Sequence, residues 1–120
     1  MHEMGIIAGV LDAVNASAEQ ADAQRVLTVN LRVGVMTEAI EDALMFAFEA
    51  LSENTLCEGA ELVIDWVEPE SMCLECGNRF SHDRFHRTCP ACGGYETTIV
   101  AGRELDIVSI EVELPDEEGE

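Results

Sequence analysis

The stretch Cys73-Leu74-Glu75-Cys76-Gly77, followed after eleven further residues by Cys89-Pro90-Ala91-Cys92-Gly93, so that twelve residues separate the two cysteine pairs, decides how this chain is read. Four soft thiolates in two CxxC pairs match tetrahedral Zn²⁺, with Zn–S distances of about 2.3 Å, and leave no open position for a substrate. The glycine after each pair lets the backbone turn sharply enough for its amides to point at the sulfurs. The spacing therefore predicts a structural zinc site made by Cys73, Cys76, Cys89 and Cys92. The same rubredoxin-like knuckles also suit iron, so an electron carrier is a separate reading, distinguishable by colour because zinc is spectroscopically silent.

Composition bounds what surrounds the site. At 120 residues and 48% apolar, the chain can form one modest core plus a small module too short to fold without its metal. No apolar run approaches the roughly 20 residues of a membrane span, and no basic region precedes the first apolar stretch, so a cytoplasmic location and no membrane partner are expected. Without a signal peptide, paired CxxC spacing favours metal-bound thiolates over disulfides. Cys57 lies outside both pairs and reads as a small half-buried hydrophobe, with a reactive thiol as the alternative.

The net charge of -19, with six Arg and no Lys against twenty-five acids, excludes nucleic-acid binding, which depends on cations neutralising phosphates. The charge is uneven. Residues 69–96 hold Arg79, Arg84 and Arg87 against Glu70, Glu75, Asp83 and Glu96, so almost all of the excess lies elsewhere. A near-neutral knob on an acidic body suits different partners for the two parts.

Outward from the cysteines, the periodicity predicts two helices and three strands. Met4, Ile7, Leu11 and Val14 recur at helical spacing, with Ala8 and Ala18 near the same face, which predicts a helix over about residues 3–18. Leu27, Val29, Leu31, Val33 and Val35 alternate with Thr28, Asn30, Arg32 and Gly34 as a strand with one core face. Thr37 is placed to cap a second helix with Ile40, Leu44, Phe48 and Leu51 as its buried stripe. Leu62 to Val67 is a second strand, and strand, helix, strand implies a right-handed crossover and a parallel pair. From Leu105 to Leu114 a third strand changes phase, so a bulge near residues 107–108 is expected to keep both apolar sets facing the core. The fold class is α/β: a small mixed three-stranded sheet with two helices, carrying an inserted zinc-ribbon-like (rubredoxin-knuckle) module. Residues 1–68 and 97–114 form the first domain, residues 69–96 the inserted zinc-binding domain, and residues 115–120 an acidic disordered tail.

The opening Met1-His2-Glu3-Met4 is the second informative feature. A bulky second residue leaves the initiator Met in place, so a free amine, two amides and an imidazole fall within three residues. These nitrogen donors suit a square-planar ion such as Ni²⁺ or Cu²⁺, whereas the knuckles offer sulfur in a tetrahedron. A solvent-facing, idle His2 is the plain alternative.

With these residues in hand, the chain resembles the HypA/HybF family, the nickel-insertion accessory proteins of [NiFe]-hydrogenase and urease maturation. The resemblance runs through Met1-His2-Glu3, Arg32-Val33-Gly34, Phe46-Ala47-Phe48-Glu49 and Glu58-Gly59-Ala60-Glu61-Leu62-Val63-Ile64. It continues through both CxxCG knuckles, Gly102-Arg103-Glu104-Leu105 and Ile110-Glu111-Val112. What it implies is a metallochaperone, not an enzyme. Transported Ni²⁺ is held by His2 with the Met1 amine and the amides of His2 and Glu3, while the Glu3 side chain tunes or orients the site. Structural Zn²⁺ sits in the four cysteines. The implied partners are a HypB-type GTPase, the [NiFe]-hydrogenase large subunit and urease accessory proteins. His82 and His86, four residues apart between the knuckles, read either as part of an exposed basic loop or as residues around the zinc that tune it or exchange with a cysteine. A zinc-stabilised protein-interaction adaptor in which His2 does nothing is the competing class of function.

Overall fold

The computed structural model describes residues 2–83 and 85–115. Helix α1 covers Glu3–Gln20, strand β1 Arg25–Gly34, helix α2 Glu41–Leu51 and strand β2 Glu61–Val67. Strands β3, β4, β5 and β6 follow as Glu70–Cys73, Arg79–Ser81, Thr97–Ala101 and Leu105–Glu113. They form two three-stranded sheets, ordered β2-β1-β6 and β4-β3-β5. Pairing of the Gln24 amide with the Glu113 carbonyl, and of Asn30 with Ser109, runs β6 antiparallel to β1. The acidic tail expected over 115–120 lies, beyond Pro115, outside the described residues.

The chain divides into two compact units. One is built from the chain up to Leu31, Ala39–Ile64 and the chain from Ile107 onward. Its core is the 3.6-residue stripe Ile7, Val10, Leu11, Val14 and Ala18 of α1, with Leu44, Ala47 and Phe48 of α2, Val26, Val29 and Leu31 of β1, and Leu62 of β2. Helices α1 and α2 pack on each other. Several expected core positions are instead at the surface. Met4, Ala8, Leu27, Ile40 and Leu51 are exposed. On β1 the alternation slips between Val26 and Val29, which puts Leu27 out of phase. On β6 only Ile110 and Val112 are half-buried, while Leu105, Ile107, Val108 and Leu114 are exposed. Side chains alternate between the two faces of a strand, and on β6 only the middle of the even-numbered face is partly covered.

The second helix also starts later than expected. Val35–Thr37 forms a 3-10 turn closed by the Thr37 hydroxyl, which donates to the Gly34 carbonyl at 2.8 Å. Thr37 therefore stabilises that turn, and Ile40 occupies the position before α2 with no side-chain cap of its own.

The second unit consists of Arg32–Glu38 and Asp65–Asp106. Thr97–Ala101, which the sequence groups with the first domain, pairs here with β3: Cys73 opposes Thr97 and Met72 opposes Thr98. On the other side Met72 opposes Arg79 and Ser71 opposes Phe80, both antiparallel. The segment 34–36 is gripped against residues 102–104. The Gly34 amide donates to the Glu104 carbonyl and the Met36 amide to the Gly102 carbonyl, each at 2.7 Å. A Cβ at Gly34 would overlap the Gly102 carbonyl and sit 2.5 Å from the Arg103 nitrogen. Gly34 has an ordinary extended backbone, so glycine is required there by the close approach and not by φ.

Candidate metal centre

Two equivalent turns present the cysteines. In the first, the Gly77 amide donates to the Cys73 carbonyl at 2.9 Å and the Cys73 amide to the Asn78 carbonyl at 2.8 Å. In the second, the Gly93 amide donates to the Cys89 carbonyl at 2.8 Å and the Cys89 amide to the Gly94 carbonyl at 3.0 Å. Both glycines are left-handed, φ 80° at Gly77 and 75° at Gly93, where a side chain would strain the turn. Antiparallel pairing of β3 and β5 carries the first turn to the chain that leaves the second, and the Leu74 amide donates to the Glu96 carbonyl at 2.8 Å.

The four sulfurs converge. Cys73, Cys76, Cys89 and Cys92 place their Sγ atoms within 4.8 Å of one another, with Cys73 to Cys92 and Cys76 to Cys89 at 3.6 Å. A tetrahedron with metal–sulfur bonds of about 2.3 Å has sulfur–sulfur edges of about 3.8 Å, so the cluster has the size of a four-thiolate zinc site and is too open for disulfides. Cys73 and Cys89 are buried, whereas Cys76 and Cys92 face solvent. Amide donors reach the sulfurs: the Glu75 N–H lies 3.4 Å from Cys73 Sγ and the Asn78 side-chain amide 3.8 Å from Cys89 Sγ.

The thiols do not titrate alike. Burial pushes Cys89 up, but the Cys92 and Ala91 amides and the neighbouring donors outweigh it and draw this thiol down to about 6. At Cys92 the Gly94 amide favours the thiolate, yet crowding against the Cys73 and Cys76 sulfurs pushes the group up to about 12. Four thiolates this close repel one another, and a divalent cation at their centre is the charge that relieves the repulsion. Cys57, by contrast, is fully buried, pushed up by that burial, and lies 3.5 Å from the Asn15 side-chain oxygen.

Neither loop histidine belongs to the sulfur cluster. His82 Nε2 meets the buried Ser71 hydroxyl at 2.7 Å, and its Nδ1 meets the Asp83 carbonyl. Both nitrogens are thus occupied in holding the loop to β3. His86 Nδ1 pairs with the Asp83 carboxylate at 2.9 Å, and the Phe85 and His86 amides also donate to it. The His86 imidazole and then the Phe85 amide hold Asp83 down at about 2.

At the other end of the chain, His2 is exposed and precedes α1 without a side-chain capping bond. Glu3 opens the helix, and its Oε2 accepts the Ile40 amide at 3.0 Å, which holds the carboxyl below its usual range. Met1 lies outside the described residues. Sequence reasoning missed the Glu3–Ile40 contact, because nothing local links positions 37 apart.

The family model for "Hydrogenase/urease nickel incorporation, metallochaperone, hypA" matches residues 1–112. The chain belongs to that family. Among its relatives, the hydrogenase maturation factor HypA of Chlorobium phaeobacteroides is 45% identical over 113 residues, covering 94% of this chain and 100% of that protein. The HypA of Geobacter metallireducens is 41% identical over 113 residues, with the same 94% and 100% coverage. The fold is similar to the solution structure of the Ni metallochaperone HypA from Helicobacter pylori, with a TM-score of 0.70 at 23% identity over 96% of this chain and 100% of that one. The α/β class, with two helices, two small sheets and a four-cysteine knuckle site, is the one expected from the sequence.

Proposed function

We propose that this chain, as a nickel metallochaperone of hydrogenase maturation, carries its cargo at the amino terminus, with the Met1 amine, the His2 amide and imidazole and the Glu3 amide as donors. The observation that carries this reading is a division of donor chemistry. Four sulfurs are gathered in a cluster of tetrahedral size in one compact unit, and the exposed His2 belongs to the other. The first amides of a helix have no partner within the helix, so using them as ligands costs α1 no hydrogen bond. Sulfur retains Zn²⁺ and planar nitrogen donors take Ni²⁺, so one chain can hold both without exchange.

The Glu3 carboxylate, committed to the Ile40 amide, ties the first turn of α1, next to His2, to the residue before α2. A site without a buried surround can be offered to another protein, and protonation of its amides or imidazole releases the metal. We assign the recipient as the [NiFe]-hydrogenase large subunit, with urease accessory proteins as a second destination and a HypB-type GTPase as helper, all in the cytoplasm. The role is carriage of a metal and not turnover of a substrate.

Titration of Ni²⁺ into zinc-loaded protein with a native Met1, followed by the visible absorption of planar nickel, tests the site. One equivalent is expected for the native chain and none for His2→Ala. Equal binding by both makes His2 idle and favours a zinc-stabilised adaptor.

A further inference from the structure

Helix α2 is apolar on more than its buried side. Leu44, Ala47 and Phe48 face the core, yet Phe46 stands 67% exposed and Met45 36% exposed on the other faces. Helical geometry sets Asp42 and Glu49, at four before and three after, on the same side as Phe46. Beside this ridge lies a groove of about 450 Å³ between the second half of α2 and the start of β2. Met45, Phe48 and Leu62 contribute its apolar wall, and Glu49, Glu53 and Glu58 stand around it. An aromatic ring left in water on a regular helix, next to a groove with one apolar wall and an acidic surround, marks an interaction surface.

The charge around the groove selects the occupant. The described residues 2–31, 39–64 and 107–115 of this unit hold twelve Asp and Glu against a single arginine, Arg25. A second copy would bring the same charge against itself, and nucleic acid would be repelled. An amphipathic helix laid in a groove binds through apolar side chains spaced at three and four residues. With arginines or lysines flanking those side chains, it would also meet the carboxylates.

We propose that the α2–β2 groove and the Phe46 ridge beside it, with Met45 in the groove and Phe46 on the ridge as apolar anchors and Glu49, Glu53 and Glu58 around the groove, dock a cationic amphipathic helix of another protein. This docking surface is independent of the nickel site and goes beyond the carriage of metal.

The test uses the full zinc-loaded chain, labelled with ¹⁵N. It is titrated with a synthetic peptide of about 18 residues, long enough to form helix alone, carrying leucines at helical spacing flanked by arginines. A second peptide has glutamate in place of every arginine. The arginine peptide is expected to shift the amide resonances of residues 42–62, and the glutamate peptide to shift none. The Met45→Ala/Phe46→Ala double variant, which leaves the charge unchanged and alters only exposed side chains, is expected to bind at least about tenfold more weakly while still taking up one equivalent of Ni²⁺. A Glu49→Lys/Glu53→Lys variant is expected to weaken binding most at low salt. The proposal is overturned if neither peptide binds, if shifts spread over the acidic surface, or if the alanine variant binds as tightly as the native chain. The last outcome would reduce the effect to charge alone.

Discussion

Replacing Gly34 by alanine tests the close approach of residues 34–36 and 102–104 without touching any metal ligand. At φ -81° and ψ 143° alanine is conformationally permitted, and the loss of unfolded-state freedom should even favour it by roughly 0.5 kcal/mol. The obstacle is space. A carbon and an oxygen approach no closer than about 3.3 Å, so the new methyl, overlapping the Gly102 carbonyl, forces the two backbones apart by more than about 1 Å. That movement breaks the Gly34–Glu104 and Met36–Gly102 hydrogen bonds, each worth about 1 kcal/mol, and adds overpacking strain of about 1–3 kcal/mol. The net loss should be about 3 kcal/mol, or roughly 10 °C in melting temperature for a chain of this length. Chemical denaturation of zinc-loaded protein reads it, with Gly59→Ala as the control. Gly59 has φ 81° and nothing within 4 Å of its would-be Cβ, so only the left-handed backbone opposes alanine there, by about 1–2 kcal/mol. If Gly34→Ala loses less than about 1 kcal/mol, or no more than Gly59→Ala, the close contact does not constrain the fold as argued.

Three further outcomes follow from the same structure. Removing zinc with a chelator should expose the amides of Ser71, Met72 and Arg79 to hydrogen exchange while α1 stays protected; equal protection with and without metal would show that the β4-β3-β5 sheet does not depend on the cysteine cluster. Glu3→Ala should speed exchange of the Ile40 amide, and Glu3→Gln, which keeps an acceptor, should largely restore protection. Because this contact lowers the Glu3 pKa, its contribution is complete above the unfolded value of about 4.3 and is lost as pH falls through the folded one; protection unchanged in acid would deny the contact. With a net charge of -19, the melting temperature should rise by several degrees between about 0.1 and 1 M KCl, as the screening length falls from about 10 to 3 Å; a flat profile would mean that self-repulsion is unimportant.

Local signals were legible in the sequence and distant contacts were not. Each cysteine knuckle is written within five consecutive residues, so both turns and their sulfur cluster could be read from spacing alone. Period-2 alternation located β1, although the slip between Val26 and Val29 misplaced Leu27. The start of α2 was misjudged because a threonine before an apolar run looks like a cap, whereas Thr37 closes the preceding 3-10 turn onto Gly34. The exposure of Ile40 and Phe46 was hidden for a related reason: hydrophobicity records what a side chain prefers, not which side the rest of the chain covers. The clasp of Gly34 on Gly102 and the Glu3–Ile40 bond join residues far apart in the chain, and their residue types carry no local mark of the partner. His82 looked available to the metal from its spacing, but the buried Ser71 hydroxyl and the Asp83 carbonyl occupy both of its nitrogens.

The central claim is that sulfur and nitrogen donors keep two metals apart on one chain. X-ray absorption at the nickel edge, on protein holding one Zn²⁺ and one Ni²⁺, addresses it most directly. The account predicts four-coordinate planar nickel with nitrogen neighbours only, an imidazole signature that disappears in His2→Ala, and zinc that keeps four sulfurs throughout. Sulfur around nickel, or zinc that gives up sulfur when nickel is added, would contradict it.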